Sequence, residues 1–403
     1  MATALSKKWS RNCALAVYFL DNFALAVVYP IFTPLLFGEG NRWIHVGDAN
    51  RLLLLGMLIA AFPLAQFLGA PVIGALADRK GRKKTFYFTL IGEIVGFTLS
   101  GVAILFSNYP LLLFSRILTG FFAGNFTVCL AVFADLHTSK RDRFHGFGSL
   151  IAAGGFSFIV AILVGGLLSN HQILLYFNPS DPFWFTAILS VINLLLIVAF
   201  FKETGETSSC KPLRHMIQIC RHENYTNVRR LYLVYFFLML AWMPALQFLS
   251  PLLWLDYQTS SLGITGVFGW MGVIWFTASA LLNRTLIQIT SSKRLLLWAL
   301  PVGACGLLAT IAPYSLVTFI IFISIATCGA ALAWVNNLGL ISTYTDPIQQ
   351  GKVLGLNQSV GAMAMAIGPF LSVSVGSTNL HFVYLVSAIS LFTSFILLYF
   401  KKI

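Results

Sequence analysis

Gly74-Ala75-Leu76-Ala77-Asp78-Arg79-Lys80-Gly81-Arg82-Lys83-Lys84 is a short basic turn set between two long apolar segments. The segments Leu52 to Leu76 and Thr85 to Phe106 are each long enough to cross about 30 Å of hydrocarbon at about 1.5 Å per residue. A bilayer accounts for both, and the cations Arg79, Lys80, Arg82, Lys83 and Lys84 place the turn on the cytoplasmic side by the positive-inside rule. Gly74 and Gly81 are expected to allow close backbone approach and positive φ. Asp78 is expected to cap a helix start or to pair with the neighbouring cations.

The rest of the composition agrees. With 58% hydrophobic and 10% charged residues, and a mean hydropathy of +0.83, the chain takes lipid as its solvent. The net charge of +13 does not imply a nucleic-acid partner. All Lys and Arg residues except Arg42, Arg51 and Arg116 fall on or near the expected inside, which is the distribution of a topology signal. Lys7, Lys8 and Arg11 precede a first span too long for a cleaved signal peptide. Cys13, Cys129, Cys305 and Cys328 lie in spans and Cys210 and Cys220 in a cytoplasmic loop, a spacing that suggests neither a disulfide nor a zinc site.

Twelve spans follow: 12–37, 52–76, 85–106, 110–136, 144–169, 183–201, 231–255, 262–288, 295–312, 316–344, 351–376 and 381–400. The expected architecture is an all-α membrane protein of two six-helix bundles, residues 1–201 and 231–403, with both termini inside. The polar linker 202–230, carrying Lys211, Arg214, Arg221, Arg229 and Arg230, joins them. Its stretch Pro212 to His222 reads either as an amphipathic helix on the anionic leaflet or as a solvated linker. The halves look like a repeat. Ile31-Phe32-Thr33-Pro34-Leu35-Leu36-Phe37 aligns with Phe248-Leu249-Ser250-Pro251-Leu252-Leu253-Trp254, and Arg116-Ile117-Leu118-Thr119 more loosely with Ser324-Ile325-Ala326-Thr327. Asp21 then stands opposite Leu238 and Arg116 opposite Ser324, so these intramembrane charges belong to the first half.

Asp21 lies about 13 Å from the inner face and Arg116 about 9 Å from the outer face, counting 1.5 Å per residue. A lone charge at such depth costs at least a few kcal/mol, which makes both residues candidates for function. They are expected to face one polar cavity and to approach each other, either as a proton switch or as a static ion pair that fixes helix packing. Glu93 in the third span reads as a second protonatable site or, by preference, as a paired acid on the bundle periphery.

The motifs have a family pattern. The loop from Gly74 to Lys84 resembles the signature loop of the major facilitator superfamily, which implies a gate latch built from Gly74, Asp78, Arg79, Gly81 and Arg82. Leu20-Asp21 with Tyr29-Pro30, Leu113-Phe114-Ser115-Arg116-Ile117-Leu118-Thr119-Gly120, Asp346-Pro347 with Gln350-Gly351-Lys352-Val353-Leu354-Gly355, and Gly368-Pro369 resemble the tetracycline-exporter branch of drug/proton antiporters. That resemblance implies proton coupling through Asp21 and Arg116, and it implies that Asp135 joins Asp78 and a basic residue in a cytoplasmic charge network. The fifth-helix segment Ala161-Ile162-Leu163-Val164-Gly165-Gly166 lacks the family's Gly-Pro bend, and spans 8 and 9 hold no acid for a metal-tetracycline complex.

Asn22, Gln247, Asn336 and Asn357 are polar enough to be drawn to a cavity, and Trp242, Phe248, Trp270 and Trp334 offer flat apolar contacts. No phosphate-cradling loop and no hydrolase motif is present, so neither ATP-driven transport nor an enzyme is indicated. The expectation is a monomeric, cofactor-free and metal-free transporter of a bacterial inner membrane, exporting a small organic solute against protons. An importer of a metabolite such as an organic anion or siderophore stays open, as does a membrane sensor that moves nothing.

Overall fold

The computed structural model describes residues 4–38, 48–136, 140–170, 177–204, 226–312, 315–345 and 350–400. Among them every regular element is helical. Lipid requires this, because a helix satisfies its own backbone hydrogen bonds where no water can. Eleven helical segments are long and apolar enough to span a bilayer, and the helix over Lys140–Leu168, apolar across Ala153–Leu168, supplies the twelfth.

Span 1 is two helices, α1 (Ala4–Ala26) and α2 (Tyr29–Phe37), and α1 starts about two turns earlier than expected. Spans 2 and 3 are α3 (Asp48–Lys80) and α4 (Arg82–Leu105); span 4 is again broken, into α5 (Tyr109–Phe122) and α6 (Phe126–Leu136). Helices α7 (Lys140–Leu168) and α8 (Asp181–Phe200) are spans 5 and 6. Span 7 divides into α9 (Thr226–Gln247) and α10 (Leu249–Leu255). In span 8, α11 (Ser261–Phe276) passes through a π-helical turn at Thr277–Leu282 into α12 (Asn283–Ile289). Then come α13 (Ser292–Ala309), α14 (Leu316–Thr343), α15 (Gln350–Gly376) and α16 (His381–Phe400). Because α9 begins at Thr226, Arg229 and Arg230 belong to a helix and not to the linker. Arg42, Asp346-Pro347, Cys210, Cys220, Lys211, Arg214, Arg221 and the stretch 212–222 lie outside the described residues.

The chain packs as two units, Met1–His45 with Ala61–Ile217, and Val46–Ala60 with Gln218–Ile403. In the first, α3 and α5 cross so closely at Gly69 and Gly120 that a Cβ on either would strike the backbone of Phe121 or Phe62. In the second, α13 and α14 cross through Gly303, Gly306 and Gly329, where a Cβ on Gly306 would lie 2.6 Å from the Ala326 amide nitrogen. Large apolar side chains such as Trp298 and Val317 point outward, as lipid-facing surfaces do.

The sequence repeat has a structural counterpart inside each unit. The register that sets Ile31 opposite Phe248 also sets Tyr18 opposite Tyr235, and the register that sets Arg116 opposite Ser324 sets Phe126 opposite Trp334. In the first unit Tyr18 packs on Phe126, ring centroids 4.9 Å apart, and on Gly154. In the second, Tyr235 accepts a 3.2 Å hydrogen bond from Trp334 Nε1 and packs on Gly361. Spans 1 and 7 break about one turn apart in that register, where Pro30 and Pro34, and Pro244 and Pro251, withhold backbone donors and crowd the preceding turn.

Candidate functional site

A broken helix leaves backbone groups without partners at both sides of the gap, and in lipid those groups need other donors or acceptors. Span 4 breaks at Ala123-Gly124-Asn125. On one side, Gln66 Nε2 donates to the Ala123 carbonyl at 2.7 Å. On the other, the Asn125 backbone N–H donates to Asp21 Oδ2 at 3.1 Å. Asp21 therefore sits at the N-terminus of α6, where the helix dipole favours an acid. The Asn125 side-chain amide donates to Asp21 Oδ1 at 3.1 Å and to Glu93 Oε1 at 3.2 Å. That one amide nitrogen reaches a carboxyl oxygen of each acid, so Asp21 and Glu93 are neighbours across it, and all three residues are buried, Glu93 completely. Glu93 is thus not peripheral: α4 turns it inward.

Arg116 does not complete this group. Among the described residues no carboxylate lies within ion-pair distance of it. It is 1% exposed; its Nη1 donates to the Ala24 carbonyl at 3.4 Å, its guanidinium lies 4.6 Å from the Phe62 ring and 5.8 Å from that of Phe32, and Nε has no hydrogen-bond partner. Ala24 belongs to the last turn of α1, whose carbonyls lose their helical partners at the break before Pro30. The expected direct pairing of Asp21 with Arg116 is therefore corrected. Each charge meets the end of a broken helix, the acid at the start of α6 and the guanidinium at the end of α1, where the dipole favours a cation.

The basic turn is built as a second cluster. Gly81 has φ +92°, the one positive φ among the described glycines, and links α3 to α4. Arg82 Nη1 lies 3.5 Å from Asp78 Oδ1, and its Nε 3.4 Å from Asp135 Oδ2, so Arg82 is the basic residue between the two acids that the resemblance left unspecified. Thr204 donates to Asp135 at 3.3 Å. Glu203 accepts from the backbone N–H groups of Arg82 at 2.8 Å and Lys83 at 3.1 Å, capping α4. Partial burial pushes the Asp135 carboxyl above its ordinary value, and the Arg82 guanidinium pulls part of the way back. Arg79 is exposed. Gly74 makes no close approach: a Cβ there would meet only Thr127 Oγ1 at 3.5 Å.

The remaining candidates divide. Asn22 spends its amide on the Tyr18 carbonyl of its own helix at 2.8 Å, and Asn336 donates to Asn283 Oδ1 at 2.7 Å and to the Leu332 carbonyl at 2.9 Å. Gln247 is buried with neither amide atom bonded, and Asn357 is buried with an unbonded Oδ1. Trp242 stacks on Trp275 at 5.4 Å, and Trp275 lies 5.3 Å from Trp334, a three-tryptophan ladder from α9, α11 and α14. Trp270 faces outward and donates to Ser324 Oγ at 3.1 Å. Sequence reasoning passed over Asn125, Glu203 and Trp275. The Gly124-Asn125 pair in mid-span was the available signal for the first, since such a pair marks a break.

Twelve apolar helices with buried charges held at interrupted spans define a polytopic membrane transporter. Residues 12–308 match the model of the Major Facilitator Superfamily, and the chain belongs to that family. It is a transporter of small molecules and not an enzyme. The tetracycline resistance protein, class B, of Escherichia coli is 26% identical over 380 residues, 90% of this chain and 87% of that protein. The Major facilitator superfamily domain-containing protein 10 of Homo sapiens is 25% identical over 364 residues, covering 81% and 74%. Among solved structures, the human organic anion transporter MFSD10 superposes with a TM-score of 0.76 at 22% identity, covering 97% of this chain and 99% of that one. A D-xylose-proton symporter does so at 0.78 and 14% identity, covering 98% and 97%. These two share the fold.

Proposed function

We propose that this transporter moves a small organic solute by proton-coupled alternating access, in the direction of export. The carrying observation is the buried acid at Asp21, held at the start of α6 by Asn125 and beside Glu93. Ionised carboxylates are costly at such depth, so a proton arriving or leaving changes which backbone and side-chain contacts Asp21 can keep. The direction rests on the similarity to tetracycline resistance proteins over most of the chain. Trp242, Trp275 and Trp334 are the proposed apolar contacts for a planar solute, and the cluster of Asp78, Arg82 and Asp135, with Gly74, Gly81 and Arg79 in the same turn, is the proposed gate.

A second reading is favoured by Arg116, a buried guanidinium without a carboxylate partner among the described residues: the solute is an organic anion, the class of solute carried by human MFSD10. Proteoliposomes separate the readings. Counterflow with candidate solutes tests for transport; a pH gradient of each sign then tests coupling and direction. D21N is expected to keep counterflow and to lose uphill movement, whereas uphill movement at the wild-type rate rejects the coupling assignment. Absence of flux for every solute supports a sensor.

A further inference from the structure

We propose that Asp21 and Glu93 are one proton-binding site, two carboxyl groups holding a single proton between them, with Asn125 as the clamp that keeps them in register. This deepens the proton-coupled reading above, and its test is arranged so that either can fail alone.

Two ionised carboxylates offer only acceptors, so they repel when in contact and away from water. Asp21 and Glu93 flank one amide nitrogen, that of Asn125, at 3.1 and 3.2 Å, and both are buried. Asn125 supplies a backbone N–H and a side-chain amide, which serve both Asp21 oxygens and one Glu93 oxygen. The remaining Glu93 oxygen, Oε2, is buried and receives no donor from any other described residue. One shared proton supplies the missing donor and removes one of the two charges. The arrangement is that of carboxyl dyads that cannot both ionise.

No other charge among the described residues resolves the conflict. From α6 the titratable neighbour is Cys129, whose thiol donates to the Ala14 carbonyl at 3.3 Å. From α5, Arg116 makes its contacts with Ala24, Phe32 and Phe62. The buried polar residues of α7 and α8 within the spans, Ser157, Thr186, Ser190 and Asn193, are uncharged; the charged residues of α7 end at His145, about three turns before Ser157, which meets Phe19 of α1.

A purely structural role for Asp21 and its Asn125 clamp is disfavoured by the repeat. The register that pairs Tyr18 with Tyr235 sets Leu238 opposite Asp21, and the one that pairs Phe126 with Trp334 sets Ala333 opposite Asn125. Leu238 and Ala333 are both fully buried, so the second unit fills these positions with apolar groups. The fold packs there without acids, and polar groups kept in the first unit alone serve a purpose other than packing.

The test is infrared difference spectroscopy of the purified full chain in lipid nanodiscs, titrated with pH. The wild type is expected to show one protonated buried carboxyl at neutral pH, a measurement that needs no variant. E93Q and D21N are each expected to abolish that band or to move its midpoint by about one pH unit or more. A wild type with no protonated carboxyl, or with two, overturns the proposal, as does an E93Q midpoint that stays in place. Should E93Q not fold, E93D is expected to keep the shared proton with a shifted midpoint; an unshifted midpoint there counts against the pair. Loss of uphill transport in D21N with an unmoved E93Q band leaves the coupling reading standing and removes the shared site. One shared proton in a protein whose uphill transport ignores D21N does the reverse.

Discussion

Asn125 holds Asp21 twice, through its backbone N–H and its side-chain amide, each at 3.1 Å. The double hold joins α1 to the gap in span 4 and, among the described residues, gives Glu93 its only hydrogen bond from a neutral side chain. Removing the side-chain amide leaves two buried acceptors short of a donor, at a cost of about 1–3 kcal/mol. N125A is therefore expected to lower the thermal midpoint by several degrees in detergent. N22A is the control, since Asn22 is half-buried and bonds only within its own helix turn, and it is expected within about 0.5 kcal/mol of wild type. Equal midpoints for the two variants would show that the clamp carries no strain-bearing contact.

Arg116 is expected to cost stability where it sits. The effective penalty for burying an ion is several kcal/mol. Against it stand a helix end, worth up to about 2 kcal/mol, and two ring faces at about 2 kcal/mol at best. The balance is near zero or negative, so R116M, which keeps the apolar stem, is predicted to melt at the wild-type temperature or above while transport falls. A midpoint several degrees lower would assign Arg116 to the scaffold.

The turn at Gly81 predicts a non-additive pair. An alanine at φ +92° and ψ 159° costs about 1–3 kcal/mol, and its Cβ would stand 2.5 Å from Glu203 Oε2, displacing the cap of α4. E203Q loses one of the two accepted backbone bonds, about 1 kcal/mol. Since both changes undo the same cap, the double variant should lose less than the sum of the single losses. Strict additivity in thermal melts would show that Glu203 and Gly81 act independently.

The tryptophan ladder gives a test of solute contact. Trp275 stands between Trp242 and Trp334, next to the π-helical turn, a type of irregularity that recurs at functional sites. W275F is expected to raise KM several-fold for a planar solute with kcat little changed, whereas W298F, on a side chain 74% exposed, should change neither. If both variants behave alike, the ladder is packing.

The difference between what the sequence told and what it did not is one of azimuth. Apolar length and loop charge located all twelve spans, most to within three residues at each end, because lipid reads those properties directly. Residue counting assigns Asp21 and Arg116 a position along their spans. It could not say which way each side chain points around its helix, and a rise of 1.5 Å per residue carries no information on rotation toward a partner 104 residues away. The break at Gly124-Asn125 compounded this: it offered Asp21 a helix N-terminus in mid-span. The link of Asp135 to Asp78 and a basic residue of the turn was legible by family analogy alone, whereas Glu203 and Asn125 had neither a motif nor an analogy to point to them.

Two adjacent glycines separate helix propensity from packing within one turn of α7. Gly154 faces α1, where a Cβ would lie 2.9 Å from the Tyr18 ring; Gly155 has no neighbour within 4 Å of its Cβ position. Alanine at either residue gains about 1 kcal/mol of helix propensity. At Gly154 the ring has little freedom to retreat, because it already packs on Phe126, and overpacking costs about 1–3 kcal/mol. G155A is accordingly expected to raise the thermal midpoint and G154A to lower it or leave it level, a gap of about 1–3 kcal/mol between neighbours. Gly361 faces Tyr235 with a Cβ distance of 3.0 Å, so G361A should reproduce the G154A result in the other unit. A stabilised G154A would mean that Tyr18 moves freely and that the Tyr18–Phe126–Gly154 arrangement does not fix the approach of α7 to α1.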